Sequence, residues 1–294
     1  MGLRNKLKNF IFKRDKNYKI RDLSIRLPSN HNLPAYQKIH NLYDRFLPFL
    51  GKFLKPNQFI IDVGANCGDT LGLMVSENKN LNFICIEPDK DFFEYLKINS
   101  YKIRQKCFGK IILENSLVGK DIKSNQLREI FPGTKTLSNE LNKKSKCFLN
   151  VNELDKIISS KLASSEKISL IKIDTDGYDF DVIKSAKCTI LDHKPLLYFE
   201  CYIIDENLLS KYKESLKELK KWGYSEFFVF DNFGSYMFKT NKVDIISDLL
   251  NYHWFQSRGI SSRTSFYIDI FAVTNKDRKF ANKVVLNYLN HFYC

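Results

Sequence analysis

Residues 58–70 read QFIIDVGANCGDT and decide the fold. The stretch begins with a short apolar run that contains a single aspartate, Asp62, and passes at once into a polar turn with glycines at 64 and 68. This pattern is typical of a buried parallel strand that turns into a helix. Glycine lets such a turn approach a ligand, and open parallel sheets place ligands at the carboxyl ends of their strands. The stretch predicts the first strand and loop of a nucleotide-binding α/β sheet, with an ordinary strand-turn-helix as the alternative.

Strands and helices alternate along the chain up to residue 222, which predicts a doubly wound, mostly parallel sheet. The predicted strands after the first are 82–86, 110–113, 168–173, 195–199, 226–230 and 267–273, and 22–27 is expected to be an edge strand. The predicted helices are 36–54 with a break or kink near Pro48, 70–77, 89–99, 180–186, 206–222 and 277–291. Residues 119–147 are polar and irregular, which indicates a hairpin insertion or lid.

The net charge of +14 is concentrated near the N-terminus: residues 1–55 carry +10 and the remaining residues +4. We therefore divide the chain into a basic N-terminal extension with a helix that packs on the core (1–55), the sheet domain (56–275) and a C-terminal helix (276–294). The sheet domain lacks the excess of basic residues that nucleic-acid enzymes usually show. A solvated basic face, peripheral contact with an anionic membrane and docking of a phosphate-bearing acceptor remain open interpretations of the extension.

The seven cysteines are odd in number and never spaced as C-x-x-C, which favours a reducing compartment over a disulfide framework. The apolar run at residues 10–12 is too short for a signal-peptide core, and no run approaches the length of a membrane span. We therefore expect a cytoplasmic protein. Nothing in the sequence indicates its oligomeric state.

Glu87 stands 23 positions after Gly64, at the end of the second predicted strand. In dinucleotide-binding folds, an acidic residue about 20 positions after the glycine loop binds ribose hydroxyls. The loop here lacks the third glycine of G-x-G-x-x-G, so the pyrophosphate cradle is incomplete. A cofactor with a ribose and no pyrophosphate fits better, and S-adenosylmethionine is the obvious candidate.

Three motifs, in this order, resemble the FkbM family of S-adenosylmethionine-dependent methyltransferases: IDVGANCG at 61–68, Glu87-Pro88, and LIKIDTDGYD at 170–179. The family's fourth-strand signature commonly reads IKIDxEGxE, so Asp176 and Asp179 stand where longer carboxylates are usual. The resemblance extends over about residues 35–230. It implies a Rossmann-like class I methyltransferase fold with a seven-stranded sheet and an antiparallel last strand. It also implies methylation of a hydroxyl, often on a sugar or natural product.

The resemblance also implies how the cofactor lies. The glycine loop would hold its methionine part, Glu87 would bind the ribose, and residues 114–116 would face the adenine. For Asn115 and Ser116 a turn-forming role is the alternative. The cofactor-binding candidates are Asp62, Gly64, Ala65, Asn66, Gly68, Asp69, Thr70, Glu87, Pro88, Asn115 and Ser116.

Asp174 is the first candidate for a catalytic base, because it ends the fourth strand beside the expected methyl position. Lys172 should share a buried face of the sheet with Asp174, and a buried ammonium group needs an acidic partner. We therefore hypothesise a cluster of Lys172, Asp174 and Glu200 that fixes the base or positions the acceptor. Asp176 and Asp179 are interpreted as caps of the following helix.

A divalent metal is the less favoured alternative in this mechanism. Asp174, Asp176 and Glu200 would offer it oxygen ligands, but no ligand spacing in the sequence demands one. Several aromatic or basic residues could border an acceptor: His40, His253, the run 252–255, Arg258 and Arg263.

The leading prediction is an O-methyltransferase that acts on a small-molecule or glycan hydroxyl. One alternative is a catalytically idle module that binds a membrane or polyanion through its basic N-terminus. The other is a nucleic-acid methyltransferase, which is disfavoured because residues 174–177 read DTDG and not the Pro-Pro-aromatic motif of enzymes that methylate base amines.

Overall fold

The structure is a computed structural model that describes residues 15–120, 122, 127–131, 134–137, 150–259 and 265–293. Its strands are β1 (Lys16–Ile20), β2 (Leu23–Leu27), β3 (Phe59–Val63), β4 (Asn82–Ile86), β5 (Ile111–Glu114), β6 (Leu117–Val118), β7 (Leu127–Phe131), β8 (Thr134–Leu137), β9 (Val151–Asn152), β10 (Ile168–Ile173), β11 (Leu196–Cys201), β12 (Tyr224–Asp231), β13 (Tyr236–Thr240) and β14 (Ile268–Thr274). Its helices are α1 (Leu33–Ile39), α2 (Phe46–Gly51), α3 (Asp69–Glu77), α4 (Lys90–Arg104), α5 (Leu154–Lys161), α6 (Asp179–Ser185), α7 (Lys187–His193), α8 (Glu206–Lys221), α9 (Val243–Gly259) and α10 (Arg278–Phe292).

The central sheet has eight strands in the order β13-β12-β14-β11-β10-β3-β4-β5. Strands β5, β4, β3, β10 and β11 run parallel, and β14 is antiparallel to both of its neighbours. This is the predicted Rossmann-like class I arrangement with its antiparallel last strand. One more strand than predicted is present, because the turn after β12 returns the chain as β13, which pairs antiparallel with β12.

Helices cover both faces of the sheet, which explains why β3 and β4 are buried along their whole length. Successive residues of a strand point to opposite faces. Ile60 accordingly packs in one apolar cluster with α2, α3, α4 and α10, whereas Phe59 and Ile61 pack in a second cluster with α5, α6, α8 and α9. A strand that is covered on both faces has apolar residues at nearly every position, which explains the continuous apolar run in the sequence.

Three local predictions were wrong. The predicted helix 36–54 is two helices, α1 and α2, and the break lies in the turn at residues 40–45, not at Pro48. Pro48 stands in the first turn of α2, where a helix tolerates proline. Residues 22–27 pair with β1 in a separate hairpin and not with the edge of the main sheet. Helix α9 was not predicted, and it contains the run 252–255 and Arg258 that were considered as borders of an acceptor site.

Within the predicted insertion 119–147, β7 and β8 form an antiparallel pair. Most of this segment, and residues 1–14 of the basic extension, lie outside the described residues, so their proposed roles stay predictions. Among the helices that the structure describes, none is long and apolar enough to cross a membrane.

Candidate functional site

A cavity of about 490 Å³ opens at the carboxyl ends of β3, β4, β10 and β11. Loops that follow these strands form one wall, and the turn between α1 and α2 contributes to the opposite wall. Lys172 is the lysine of the lining. The carboxylates that face the cavity are Asp44, Asp69, Glu87, Asp174, Asp176, Glu200 and Asp269.

The turn after β3 requires glycine at position 64. Gly64 has a φ of +78°, and a Cβ atom there would lie 1.9 Å from the carbonyl oxygen of Asp174. The backbone N–H of Asp174 in turn donates to the carbonyl of Val63 at 3.0 Å. The ends of β3 and β10 therefore meet without an intervening side chain, which brings the glycine loop and the Asp174 loop to one cavity.

We expect Gly64→Ala to destabilise the fold far more than Gly223→Ala. Both glycines have a positive φ, but Gly223 has nothing within 4 Å of its would-be Cβ, so alanine there costs only the backbone strain of about 1–2 kcal/mol. At Gly64 the backbone must also move away from Asp174. Urea unfolding of the two variants measures the difference in their free energies of unfolding. Equal losses of unfolding free energy would show that the backbone avoids the contact with Asp174 at little cost.

Glu87 is held rigidly at the cavity wall. It is 5% exposed, its Oε2 accepts a hydrogen bond from the N–H of Asn66 and its Oε1 one from the N–H of Asp89, both at 2.8 Å. Burial raises the pKa of Glu87 to about 8 despite these two bonds. The side-chain amide of Asn115 donates to the carbonyls of Glu87 (2.8 Å) and Pro88 (3.2 Å), which holds the backbone after β4 in place.

The predicted cofactor-binding residues divide into two groups. The residues that line the cavity are Gly64, Asn66, Asp69, Thr70, Glu87, Pro88 and Ser116. The other four, which lie outside the lining that the described residues form, are Asp62, Ala65, Gly68 and Asn115. Glu114, expected near the adenine, instead forms an ion pair with Lys161 at 3.0 Å. The second group supports the wall: Asp62 is fully buried and Gly68 is the N-cap of α3.

Lys172 is buried and lies between two carboxylates. Its Nζ is 3.1 Å from Oδ1 of Asp62 and 3.3 Å from Oδ2 of Asp174, and it donates to the carbonyl of Gly64 at 3.0 Å. Burial alone would lower the pKa of Lys172, but Asp62 and Asp174 hold it well above the ordinary value. The predicted contact with Asp174 is confirmed. Glu200, however, is not an ion-pair partner of Lys172, because the parallel register places Asp62 beside Lys172 instead.

Glu200 lies across the loop after β10, close to the acidic pair Asp174 and Asp176. One oxygen from each of these three side chains lies within 4.8 Å of the other two. Oε2 of Glu200 is buried and has no hydrogen-bond partner among the described residues. Asp179 accepts hydrogen bonds from the Glu200 N–H (2.9 Å) and the Thr175 hydroxyl (2.7 Å), so it ties this loop to β11 as well as standing in the first turn of α6.

The outer part of the cavity is aromatic. His40 stacks on Phe233 with ring centroids 3.7 Å apart. The aromatic lining residues are His31, Tyr36, His40, Tyr43, Phe92, Tyr178, Tyr198, Tyr202, Phe233, Phe266 and Tyr267. His253 does not line the cavity: it lies on α9, is 3% exposed, and has a ring nitrogen 3.4 Å from the hydroxyl of Ser265. Arg258 lies over the Trp254 ring, and Arg263 is outside the described residues.

Two acidic lining residues were missed in the sequence. Asp269 is the only charged residue of β14, IDIFAVT, and pairs across the strands with Glu200. A single acid at the start of an apolar strand that, being antiparallel, begins at the ligand-binding edge is a signal that could have identified it. Asp44 lies in the turn between α1 and α2, and no motif in the sequence singles it out.

A family model for the methyltransferase FkbM domain matches residues 62–226, which is more than half of the 294 residues. The match contains the Gly64 turn, Glu87, the Asp174 loop and Glu200. A search of functionally curated proteins gave no match.

Three solved structures with similar folds are distant from this chain in sequence. A methyltransferase FkbM from Methylobacillus flagellatus KT is 16% identical over 82% of this chain and 58% of that chain, with a TM-score of 0.38. The plantazolicin methyltransferase BamL, solved with a substrate analogue and SAH, is 11% identical over 82% of this chain and 86% of that chain, with a TM-score of 0.42. A TehB-like methyltransferase from Corynebacterium glutamicum is 10% identical over 83% and 98%, with a TM-score of 0.39. This chain therefore spans just over half of the first of these relatives.

Proposed function

Because this chain belongs to the FkbM methyltransferase family, we propose that it transfers a methyl group from S-adenosylmethionine to a hydroxyl of a sugar, a glycan or a related natural product. The observation that carries the proposal is one cavity in which Glu87, held by two backbone N–H groups, faces the Asp174 loop. Glu87 suits the ribose of the cofactor, and the Asp174 loop supplies a carboxylate to an acceptor.

The residues of the cavity fit this cofactor. The two Glu87 oxygens can each accept a bond from one ribose hydroxyl in addition to the backbone N–H that they already bind. The Gly64 turn leaves room where a side chain would otherwise fill the wall, and α3 begins at Asp69 beside it. These residues, with Asn66, would hold the methionine part, and Ser116 would lie toward the adenine.

S-adenosylmethionine supplies a methyl group already activated on a sulfonium, so the protein must align it with the acceptor oxygen and remove one proton. Asp174 is suited to take this proton, because its side chain is half exposed to the cavity while Lys172 lies 3.3 Å from its Oδ2. Lys172 is anchored by Asp62 on the neighbouring strand, so it can hold Asp174 in position.

The composition of the wall supports a neutral, hydroxyl-rich acceptor. Aromatic rings offer flat apolar surfaces to the C–H faces of a sugar, and the Asn32 and Asn232 side chains line the same space. The described lining also holds seven acidic side chains against one lysine, and the acids that are ionised would repel the phosphates of a nucleic acid. We therefore favour a carbohydrate or carbohydrate-like hydroxyl over a polyanion.

A screen of glycans, nucleotide-sugars and hydroxylated natural products for transfer of a labelled methyl group tests the proposal. With an accepted substrate, Asp174→Asn should lower kcat by about 10²–10⁴-fold, the range of a lost general base. Its affinity for S-adenosylmethionine should change by less than about threefold, since the cofactor contacts lie elsewhere. Asp248→Asn, an exposed aspartate on α9, is the matched control and should retain wild-type kcat. Full activity of Asp174→Asn would remove Asp174 from the mechanism.

A further inference from the structure

Three acidic side chains from two neighbouring strand ends converge on one point of the cavity. Asp174 and Asp176 follow β10, and Glu200 stands near the end of β11, the next strand of the sheet. Each contributes one oxygen to a group whose members all lie within 4.8 Å of one another. Trans ligands of an octahedral cation are separated by twice the metal-oxygen distance, which is about 4.2 Å for Mg²⁺ and about 4.8 Å for Ca²⁺. The three oxygens therefore lie within the span of a Ca²⁺-sized cation and would move slightly closer together to bind Mg²⁺.

A second observation comes from Glu200 itself. The residue is 6% exposed and lines the cavity, and its Oε2 has no hydrogen-bond partner among the described residues. A buried carboxylate oxygen without a partner is costly unless something binds it. Lys172 does not fill this role, because its ion pairs are with Asp62 and Asp174 and its hydrogen bond goes to the Gly64 carbonyl.

We propose that Asp174, Asp176 and Glu200 bind a divalent cation of the hard, oxygen-preferring class, such as Mg²⁺, Mn²⁺ or Ca²⁺. Three carboxylate oxygens are the ligand type that these cations prefer, and the remaining coordination positions would face the cavity. This reverses the preference drawn from the sequence, where the same three residues were considered but no spacing demanded a metal.

The cation would also define how the acceptor binds. A hydroxyl that coordinates a divalent cation has a lowered pKa and a fixed position. Acceptors with two neighbouring oxygens could then bind the cation with both. This consequence rests on the proposed function, whereas binding of the cation by the three carboxylates does not.

Binding of Mn²⁺ to the purified protein, measured by electron paramagnetic resonance and by calorimetry, tests the site directly. We expect the wild type to bind one Mn²⁺ per chain with a dissociation constant below about 1 mM, and Glu200→Gln to bind at least about tenfold more weakly, since it removes a charged ligand but keeps the shape of the side chain. Asp44→Asn, which also removes one carboxylate from the cavity wall, is the matched control and should change the affinity by less than about threefold. Equal losses in both variants, or no Mn²⁺ binding by the wild type, would overturn the site.

Two further measurements separate a failed site from a failed fold or a failed function. Mn²⁺ should raise the thermal midpoint of the wild type and not that of Glu200→Gln, and Asp176→Asn serves as a second variant if Glu200→Gln is unfolded. Saturable Mn²⁺ binding without any methyl transfer would leave the site standing and reject the proposed function. Methyl transfer that persists in a chelator, together with absent Mn²⁺ binding, would reject the site and leave the function standing.

Discussion

Lys172→Met is expected to lower the free energy of unfolding by about 3–5 kcal/mol, the cost typical of removing one partner from a buried ion pair. The reason lies in Asp62, which is fully buried beside Lys172 in the register of β3 and β10 and would be left as an uncompensated charge. Chemical denaturation at pH 7 measures the change. The raised pKa of Lys172 means that its stabilisation is fully present below the ordinary value of 10.5, and is lost only as the pH rises through the higher folded-state value.

Two controls make this prediction specific. The double variant Asp62→Leu with Lys172→Met removes both charges and should recover most of the lost stability. Lys110→Met breaks an ion pair with Glu166 in which the lysine side chain is 68% exposed, and little change is expected there. If Lys172→Met were as stable as Lys110→Met, the pair with Asp62 would not be important for the fold.

At about pH 9, where Glu87 is ionised, Glu87→Gln is expected to weaken S-adenosylmethionine binding by about 100-fold, since charge-assisted hydrogen bonds are worth about 1.5–3 kcal/mol each and the amide retains only one acceptor oxygen. Calorimetric titration of the cofactor measures the loss. Glu114→Gln is the matched control, because Glu114 ends the neighbouring strand but pairs with Lys161 outside the cavity. Unchanged affinity in Glu87→Gln would place the ribose elsewhere.

The pH dependence of cofactor affinity tests the same carboxylate in the wild type. Burial raises the pKa of Glu87 to about 8, so below this pH the side chain holds a proton that must leave before both oxygens can accept ribose hydroxyls. Affinity should therefore rise with pH up to about 8, by at most tenfold per pH unit, and then level off. Glu87→Gln should lack this rise, and the comparison cancels any titration of the cofactor itself.

The parallel core of the fold could be predicted because its strands are buried on both faces and read as continuous apolar runs. The strand 82–86 was predicted with the bounds that the structure shows. The break between α1 and α2 could not, because α1 ends where the backbone becomes extended at His40 (φ −118°, ψ 99°), in a stretch whose apolar spacing is still helical. The turn that follows contains a left-handed residue, Asp44 with a φ of +54°. Apolar periodicity reports which residues face the core and does not report where the backbone turns.

Site residues could be predicted where a motif follows the end of a strand. Contacts between residues on two different strands were harder to predict, because they depend on how the strands pair. Gly64, Glu87 and Asp174 all line the cavity, as their positions after β3, β4 and β10 indicated. The partner of Lys172 depends on the register between β3 and β10, which alternation within a single strand does not define. Asp62 was therefore expected at the cofactor but lies behind the cavity wall as the partner of that lysine.

The strand β13 covers the edge that β12 would otherwise leave open. Without it, β12, which carries the run EFFVF at 226–230, would be the open side of the sheet, and its unpaired N–H and C=O groups could template pairing with a second chain. In the structure those groups are paired with β13 along residues 227–230. The outermost strand instead carries Lys239, whose ammonium group is 2.7 Å from the side-chain oxygen of Asn282 on α10. A lysine on an outer strand is one device by which natural sheets resist edge-to-edge pairing, so we expect the eighth strand to limit self-association without covering the cavity at the carboxyl ends of the parallel strands.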